Sequence, residues 1–424
     1  MTKIADIWSK QSVRNIGKLF SANIIAQAVG LLIYPLLTRL YTPEDFGLLN
    51  LFTSIGGILV LLSTLEWYNA IVLPKEEKDA QAVVHLSFAG MGILTLLLLL
   101  SVPFSTSIAS LFNEPKFATF YWLMPIYVLL MGGWNVLNYW YIRKKMYDRI
   151  SGYQISQSLF SAGYKAGFAF VPKTGGLIYA SILSPLCSIL LSLWMTGRKQ
   201  LRPLLKVDRD ACRRVAVQYA NFPKYSTPRA LLNQIVGQLP VLVLVPLFGT
   251  RLVGFWGMAL MLSFVPISTI SRSLYQVFFQ KTMEMVHGGR SIAPFYRWFT
   301  LCTLAVVVPF FILLWWALPS LSAWLLGAEW ETTGEYIRWM LPWLACSLLC
   351  ASTGYLVDIF FRQKGGLLFE ILLAVCRTIG VGVGILMDSF EIAIAGYAIS
   401  SAVVSAAQYI WYLSIIRAYE NRLQ

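Results

Sequence analysis

The chain alternates apolar runs of the length a bilayer requires, about 20 residues in helical form, with short polar stretches rich in Pro, Gly and charge. Taking each run with its breakers predicts helices near 17–38, 46–66, 81–102, 119–140, 152–171 and 175–196. A second set follows near 225–247, 253–274, 298–318, 336–357, 366–387 and 391–413. One long polar stretch, Gly197 to Lys224, divides the pattern into two halves of similar length. The expected organisation is 1–200 as an N-terminal six-helix bundle, 201–224 as a basic linker and 225–424 as a C-terminal six-helix bundle. The fold class is all-α integral membrane protein, with about 12 transmembrane helices. An even number of spans per half gives both halves the same polarity, hence a parallel repeat about an axis along the membrane normal, an arrangement in which transporters place their site between halves.

Charge sets the orientation. The central stretch carries Arg198, Lys199, Arg202, Lys206, Arg209, Arg213, Arg214 and Lys224 against only Asp208 and Asp210, and membrane proteins keep such loops in the cytoplasm. Independent loops agree, since Lys3, Lys10, Arg14 and Lys18, then Lys75 and Lys78, Arg143 to Arg149, Lys281 to Arg297, Arg362 and Lys364, and Arg417 and Arg422 all fall on the same side. Both termini are therefore expected in the cytoplasm. The polar N-terminal segment lacks the pattern of a cleaved signal, so the first helix is expected to be retained as an anchor.

Composition excludes several classes. At 57 % hydrophobic and 13 % charged, the chain has too few charges to cover a soluble domain, which carries about 25 %. The net charge of +14 is accounted for by loops facing an anionic inner leaflet, so no nucleic-acid partner is implied. The six cysteines lie in apolar stretches or the basic loop, which argues against a disulfide framework. Cys346 and Cys350 share a helical face with neither histidine near in sequence, so packing is the reading and no metal site is assigned.

The halves resemble each other locally. YTPEDFG (Tyr41 to Gly47) and FGTRLVG (Phe248 to Gly254) each join the first helix of a half to its second, and SLFNEPKF (Ser110 to Phe117) and WLLGAEWE (Trp324 to Glu331) each precede a fourth helix.

Polar residues inside spans point to function because they are costly unless they meet a partner or a watery cavity. In the fifth helix Gln154, Ser158, Ser161 and Lys165 step by four, three and four along one face, with Lys165 placed well inside the bilayer. Two readings stand for Lys165: an anion site, or a lysine reaching the outer surface, marked by Pro172 and Lys173, along its own stem. Asn23, Gln27 and Tyr34 share a face of the first helix, and interhelical hydrogen bonding accounts for them as well as a substrate does. In the eleventh helix Arg377 lies near mid-membrane with Glu370 seven residues before it, so an internal pair is open. In the seventh helix Arg229 and Asn233 share one face and Gln234 and Gln238 the other; the first pair is taken as cavity-lining. Arg272 is placed near the cytoplasmic end of the eighth helix. The candidate substrate-binding set is Lys165, Arg377, Arg229, Arg272, Asn233, Gln154, Asn23 and Gln27, with Lys165 and Arg377 expected to line one cavity between the bundles. Acids within spans are few, with Glu66 and Asp358 at cytoplasmic ends, Glu370 a turn from one and Asp388 near the opposite surface, so the interior is electropositive on balance and an anionic substrate is implied.

No catalytic residue or cofactor site is assigned. The GVGVG of Gly380 to Gly384 lacks the strand and turn that a phosphate loop needs, and reads as helix packing.

At RLYTPEDFGLLNLF (Arg39 to Phe52) the sequence resembles bacterial polysaccharide flippases, the Wzx-type proteins of the group that includes multidrug and toxin (MATE) exporters. The resemblance recurs at RKKMYDRISGYQI (Arg143 to Ile155), at NFPKYSTPRALLNQIVGQLPVLVLVPLFG (Asn221 to Gly249) and at GAEWETTGEYIRWMLPW (Gly327 to Trp343). It implies a MATE-like pair of bundles in the bacterial inner membrane that moves an undecaprenyl-pyrophosphate-linked oligosaccharide to the periplasmic leaflet by alternating access and is not an enzyme. The implied partners are that anionic lipid-linked glycan, membrane lipids and, as candidates, other glycan-assembly membrane proteins. One departure is Thr250 and Arg251, where relatives often have acids. The competing readings are a drug or metabolite exporter of the same fold, which lumen charge would distinguish, and a membrane-embedded glycan polymerase, which would show a large outer loop or a catalytic cluster.

Overall fold

The computed structural model describes residues 24–171, 175–197, 200, 204 and 207–423. Asn23, the cations before it, Pro172, Lys173 and most cations at the start of the basic linker lie outside the described residues. Twelve helices follow the predicted order: α1 Ile24–Leu40, α2 Pro43–Thr64, α3 Glu77–Ser110, α4 Pro115–Arg143, α5 Tyr147–Phe168, α6 Gly176–Thr196, α7 Phe222–Phe248, α8 Thr250–His287, α9 Ala293–Leu326, α10 Ala328–Ile359, α11 Gln363–Leu386 and α12 Phe390–Leu423. Among the described residues nine are long and apolar enough to cross a membrane, and α4, bent by 60° between Tyr121 and Met124, makes a tenth. The other two are α1, described over residues 24–40, and α5, whose polar stripe lowers its hydropathy. The chain is a multi-pass, all-α membrane protein.

Helix ends differ from the predicted ones most where polar residues carry no breaker. Helix α8 continues to His287, 13 residues past the predicted end at 274, because Gln280, Lys281 and Glu284 sustain the backbone ladder until Gly288 and Gly289. Arg272 therefore sits within a 38-residue helix and not near its end. Helix α5 stops at Phe168 and not at 171, which puts Lys165 in its last turn and not deep inside it.

The connections repeat. Left-handed residues follow the same helices in each half: Leu65 and Glu66 after α2 correspond to Gly289 after α8, Asn113 after α3 to Gly327 after α9, Lys145 after α4 to Phe361 after α10, and Gly175 before α6 to Asp388 before α12. After Lys145, Gly289, Phe361 and Asp388 the next amide reaches back five residues, as in Met146 to the Tyr141 carbonyl and Arg362 to the Val357 carbonyl, both 2.8 Å, which closes the helix end.

By compactness the chain divides into residues 1–251 and 252–424. In the first unit α7 is anchored to α2, where Ser54 donates to Gln238 Oε1 at 2.7 Å. The two repeated loops also meet there. Arg251 pairs with Glu44 at 3.3 Å and Thr250 donates to Glu114 at 3.0 Å, so both residues hold acids of the first half. One end of this unit is an aromatic core around Trp67, Trp134, Trp140 and Tyr153, and the linker helix Arg209–Gln218 covers it with Ala211 and Val215 fully buried. Asp208 caps that helix. Its carboxylate accepts from the amides of Ala211 and Asp210, and the Ala211 bond foremost holds it below the usual range.

In the second unit α12 packs along α10 and α11, with a second aromatic core around Phe278, Tyr296, Tyr355 and Tyr412. Helices α11 and α12 touch backbone to backbone: a Cβ at Gly380 would collide with Gly396, and one at Gly384 with Ala393. This contact fixes the height at which Arg377, one turn earlier, meets α12. Gly380→Ala and Gly384→Ala should each lower stability by about 1–3 kcal/mol. Gly382→Ala, where the added carbon meets nothing, should gain up to about 1 kcal/mol from helix propensity. Thermal unfolding of the three variants in one detergent checks the contrast.

Candidate functional site

Lys165 is held by α1 and the turn after it. Its Nζ lies 5.9 Å from the centroid of the Tyr34 ring, within the range at which a ring face attracts an ammonium. Tyr34 is buried and leans on Phe46, so the ring has little freedom to turn away. Two bonds fasten α5 here: Tyr41 donates to the Lys165 carbonyl and Ser158 donates to the Ala26 carbonyl, each at 2.6 Å. Among the described residues no carboxylate pairs with Lys165. Farther along the stripe, Ser151 Oγ, Gln154 Oε1 and Gln157 Oε1 are buried without a hydrogen-bond partner. Each costs about 1–3 kcal/mol unless water or a ligand meets it.

Arg377 occupies position 15 of the 24 residues of α11, near its middle. Its Nε donates to Ser401 Oγ at 2.8 Å, and Ser401 in turn donates to the Tyr397 carbonyl at 2.6 Å. The guanidinium lies 4.6 Å from the Tyr397 ring centroid and 5.2 Å from that of Trp343, and the two rings meet edge to face. Aromatic faces and one hydroxyl thus take the place of a counter-ion. Glu370 is exposed and forms no pair with Arg377, so the internal pair is not formed.

Arg377 also lines a cavity of ≈ 600 Å³ within the second unit, together with Arg272, Ser268, Ser271, Gln408 and Tyr412, and no acid is among its lining residues. Ser271 Oγ is buried there without a partner. Arg272 and Arg377, chosen independently from sequence, are thus brought to one space. Lys165, Gln154, Arg229, Asn233 and Gln27 belong to the first unit. Arg229 and Asn233 lie exposed on α7, while Gln234 and Gln238 face α2, Gln234 lying beside Gly57. Gln27 is half-buried in α1 and Asn23 lies outside the described residues.

Sequence reasoning missed Tyr34's role as a cation seat, together with Trp343, Tyr397, Ser401, Gln157 and Ser271. The Tyr397–Ser401 spacing of four was a usable signal. The aromatic residues were not, because they make up 14 % of the chain and none stands out until helix neighbours are known.

The fold defined by these helices is that of MATE-type transporters. It matches an inward-facing multidrug resistance MATE family transporter of the MOP superfamily at a TM-score of 0.68 and 16 % identity, over 95 % of this chain and 96 % of that one. It also matches a MOP superfamily transporter from Pyrococcus furiosus at 0.53 and 14 %, over 96 % of both chains. Residues 36–335 match the family model described as "Polysaccharide biosynthesis protein", and the chain belongs to that family. A curated relative, the succinoglycan biosynthesis transport protein ExoT of Rhizobium meliloti, is 22 % identical over 357 residues, 82 % of this chain and 67 % of that protein.

If the rings hold Arg377 as described, Tyr397→Leu and Arg377→Met should be coupled by about 1–2 kcal/mol in a double-mutant cycle of unfolding stability. Tyr397→Phe, which keeps the ring face, should show almost no coupling loss. A coupling near zero for Tyr397→Leu would mean that the cation does not use the ring.

Proposed function

We propose that this protein is a flippase that moves undecaprenyl-pyrophosphate-linked oligosaccharide repeat units from the cytoplasmic to the periplasmic leaflet of the bacterial inner membrane, by alternating access and without altering the substrate chemically. The observation that carries this reading is the acid-free cavity lined by Arg272 and Arg377. A cationic space of this kind attracts a pyrophosphate and repels organic cations. Lys165, which has no carboxylate partner among the described residues, supplies a second cationic position in the first unit. A cation near the middle of a span, as Arg377 is, costs about 2.5–3.5 kcal/mol on insertion scales, which a passing anion offsets during transport. Membership of a polysaccharide biosynthesis family and the name of the rhizobial relative support a glycan as the cargo. On this reading both termini and the Arg209–Gln218 helix lie in the cytoplasm, where the cation bias puts them. Other glycan-assembly membrane proteins are the partners that would supply and consume the cargo.

The test uses a deletion strain complemented with variants, reading surface glycan beside membrane protein level. Lys165→Ala and Arg377→Ala should each lower surface glycan several-fold at unchanged protein level, and the double variant should nearly abolish it. Lys165→Arg should keep most activity, since charge is what the site uses. Normal glycan from the double variant would overturn the cationic-site proposal.

A further inference from the structure

A second cavity of the 252–424 unit, ≈ 680 Å³, lies between the start of α9 and the end of α12 and shares no lining residue with the Arg272–Arg377 space. Arg297 and Arg417 both line it, both are exposed, and neither forms an ion pair among the described residues. The nearest acid on the same helix, Glu420, is already engaged. It accepts from the amides of Ile292 and Ala293 at 2.8 and 2.9 Å, capping the start of α9. The Thr300 hydroxyl is similarly used, donating to the Tyr296 carbonyl at 2.7 Å and meeting the Tyr409 hydroxyl at 2.6 Å. Ser291 hydrogen-bonds Glu420 and the Tyr296 hydroxyl meets those of Thr282 and Tyr355, which leaves the two guanidinium groups as the cavity's cationic groups. Beside them stand Trp298 and Leu301, each 62 % exposed, which offer a wall of hydrocarbon where the helix enters the apolar layer.

Two unpaired arginines beside exposed apolar side chains match an anion that is attached to a hydrocarbon chain. We propose that this cavity binds the headgroup phosphate of an anionic membrane phospholipid, with its acyl chain against Trp298 and Leu301. Guanidinium forks suit phosphate oxygens, and basic pockets between transmembrane helices take such headgroups on the cytoplasmic side. Arg297 and Arg417 lie at the end of the unit that carries Lys281 and Arg290, the end that cation bias assigns to the anionic inner leaflet. The site would anchor α9 and α12 to bulk lipid and is separate from the transport path, so it does not depend on what the protein carries.

The full chain, purified and delipidated, is titrated with phosphatidylglycerol and phosphatidylcholine, with binding read by native mass spectrometry. Phosphatidylglycerol should bind preferentially, and Arg297→Ala with Arg417→Ala should weaken it about 30-fold, from roughly 1 kcal/mol per cation near the surface. The corresponding double lysine variant should recover most of the affinity, which separates charge from fold. Arg377→Ala should leave it unchanged, so failure here and failure of the flippase reading are distinguishable. Equal binding of both lipids, or an unaffected double alanine variant, would overturn the proposal. So would inorganic phosphate competing as well as the lipid, or a long-chain isoprenyl pyrophosphate taking the site in preference to phosphatidylglycerol.

Discussion

A cation withdrawn from bulk water must recover its lost hydration from whatever surrounds it, and Lys165 and Arg377 have no carboxylate partner among the described residues. Lys165 faces the Tyr34 ring, and Arg377 lies against Tyr397 and Trp343 with one bond to Ser401. A carboxylate partner would neutralise the charge and close the site to other anions. Aromatic faces and a hydroxyl stabilise the cation only in part, worth about 2 kcal/mol or more when desolvated, and leave its charge available. Much of the local architecture serves this balance. The glycine contact between α11 and α12 sets the height of Arg377 against its rings, and the bonds from Tyr41 and Ser158 set α5 against α1.

The sequence made the helices legible because twenty apolar residues leave the backbone few alternatives in a bilayer. It made their ends much less legible. Hydropathy reports where the membrane stops, whereas a helix stops at a backbone breaker, and at α8 the two differ by 13 residues. The reverse holds for α5, where Phe170 and Val171 are apolar yet lie beyond the helix, so Lys165 is shallower than its surroundings in sequence implied. The turns at Lys145, Phe361 and Asp388 were invisible for a related reason, since none is a glycine and each is held left-handed by the bond that follows it.

Of the site, the charged half was readable and the uncharged half was not. Arg272 and Arg377 were identifiable as costly residues in apolar runs, and the structure gives them one cavity. Trp343 and Tyr397 became identifiable only once α10, α11 and α12 were seen in contact. Helix α5 shows the same tension from the other side. The polar stripe that makes it a poor membrane span by hydropathy is the one that carries the candidates Gln154 and Lys165 and the buried Gln157.

The central claim is that the interior selects an anionic amphiphile. The most direct measurement is transport by the purified protein in proteoliposomes, comparing a fluorescent isoprenyl-pyrophosphate-linked glycan with a lipophilic organic cation of the drug-exporter type, each read by its accessibility to a membrane-impermeant quencher. The account predicts protein-dependent movement of the pyrophosphate lipid and none of the cation. Movement of the cation with no movement of the pyrophosphate lipid would contradict it.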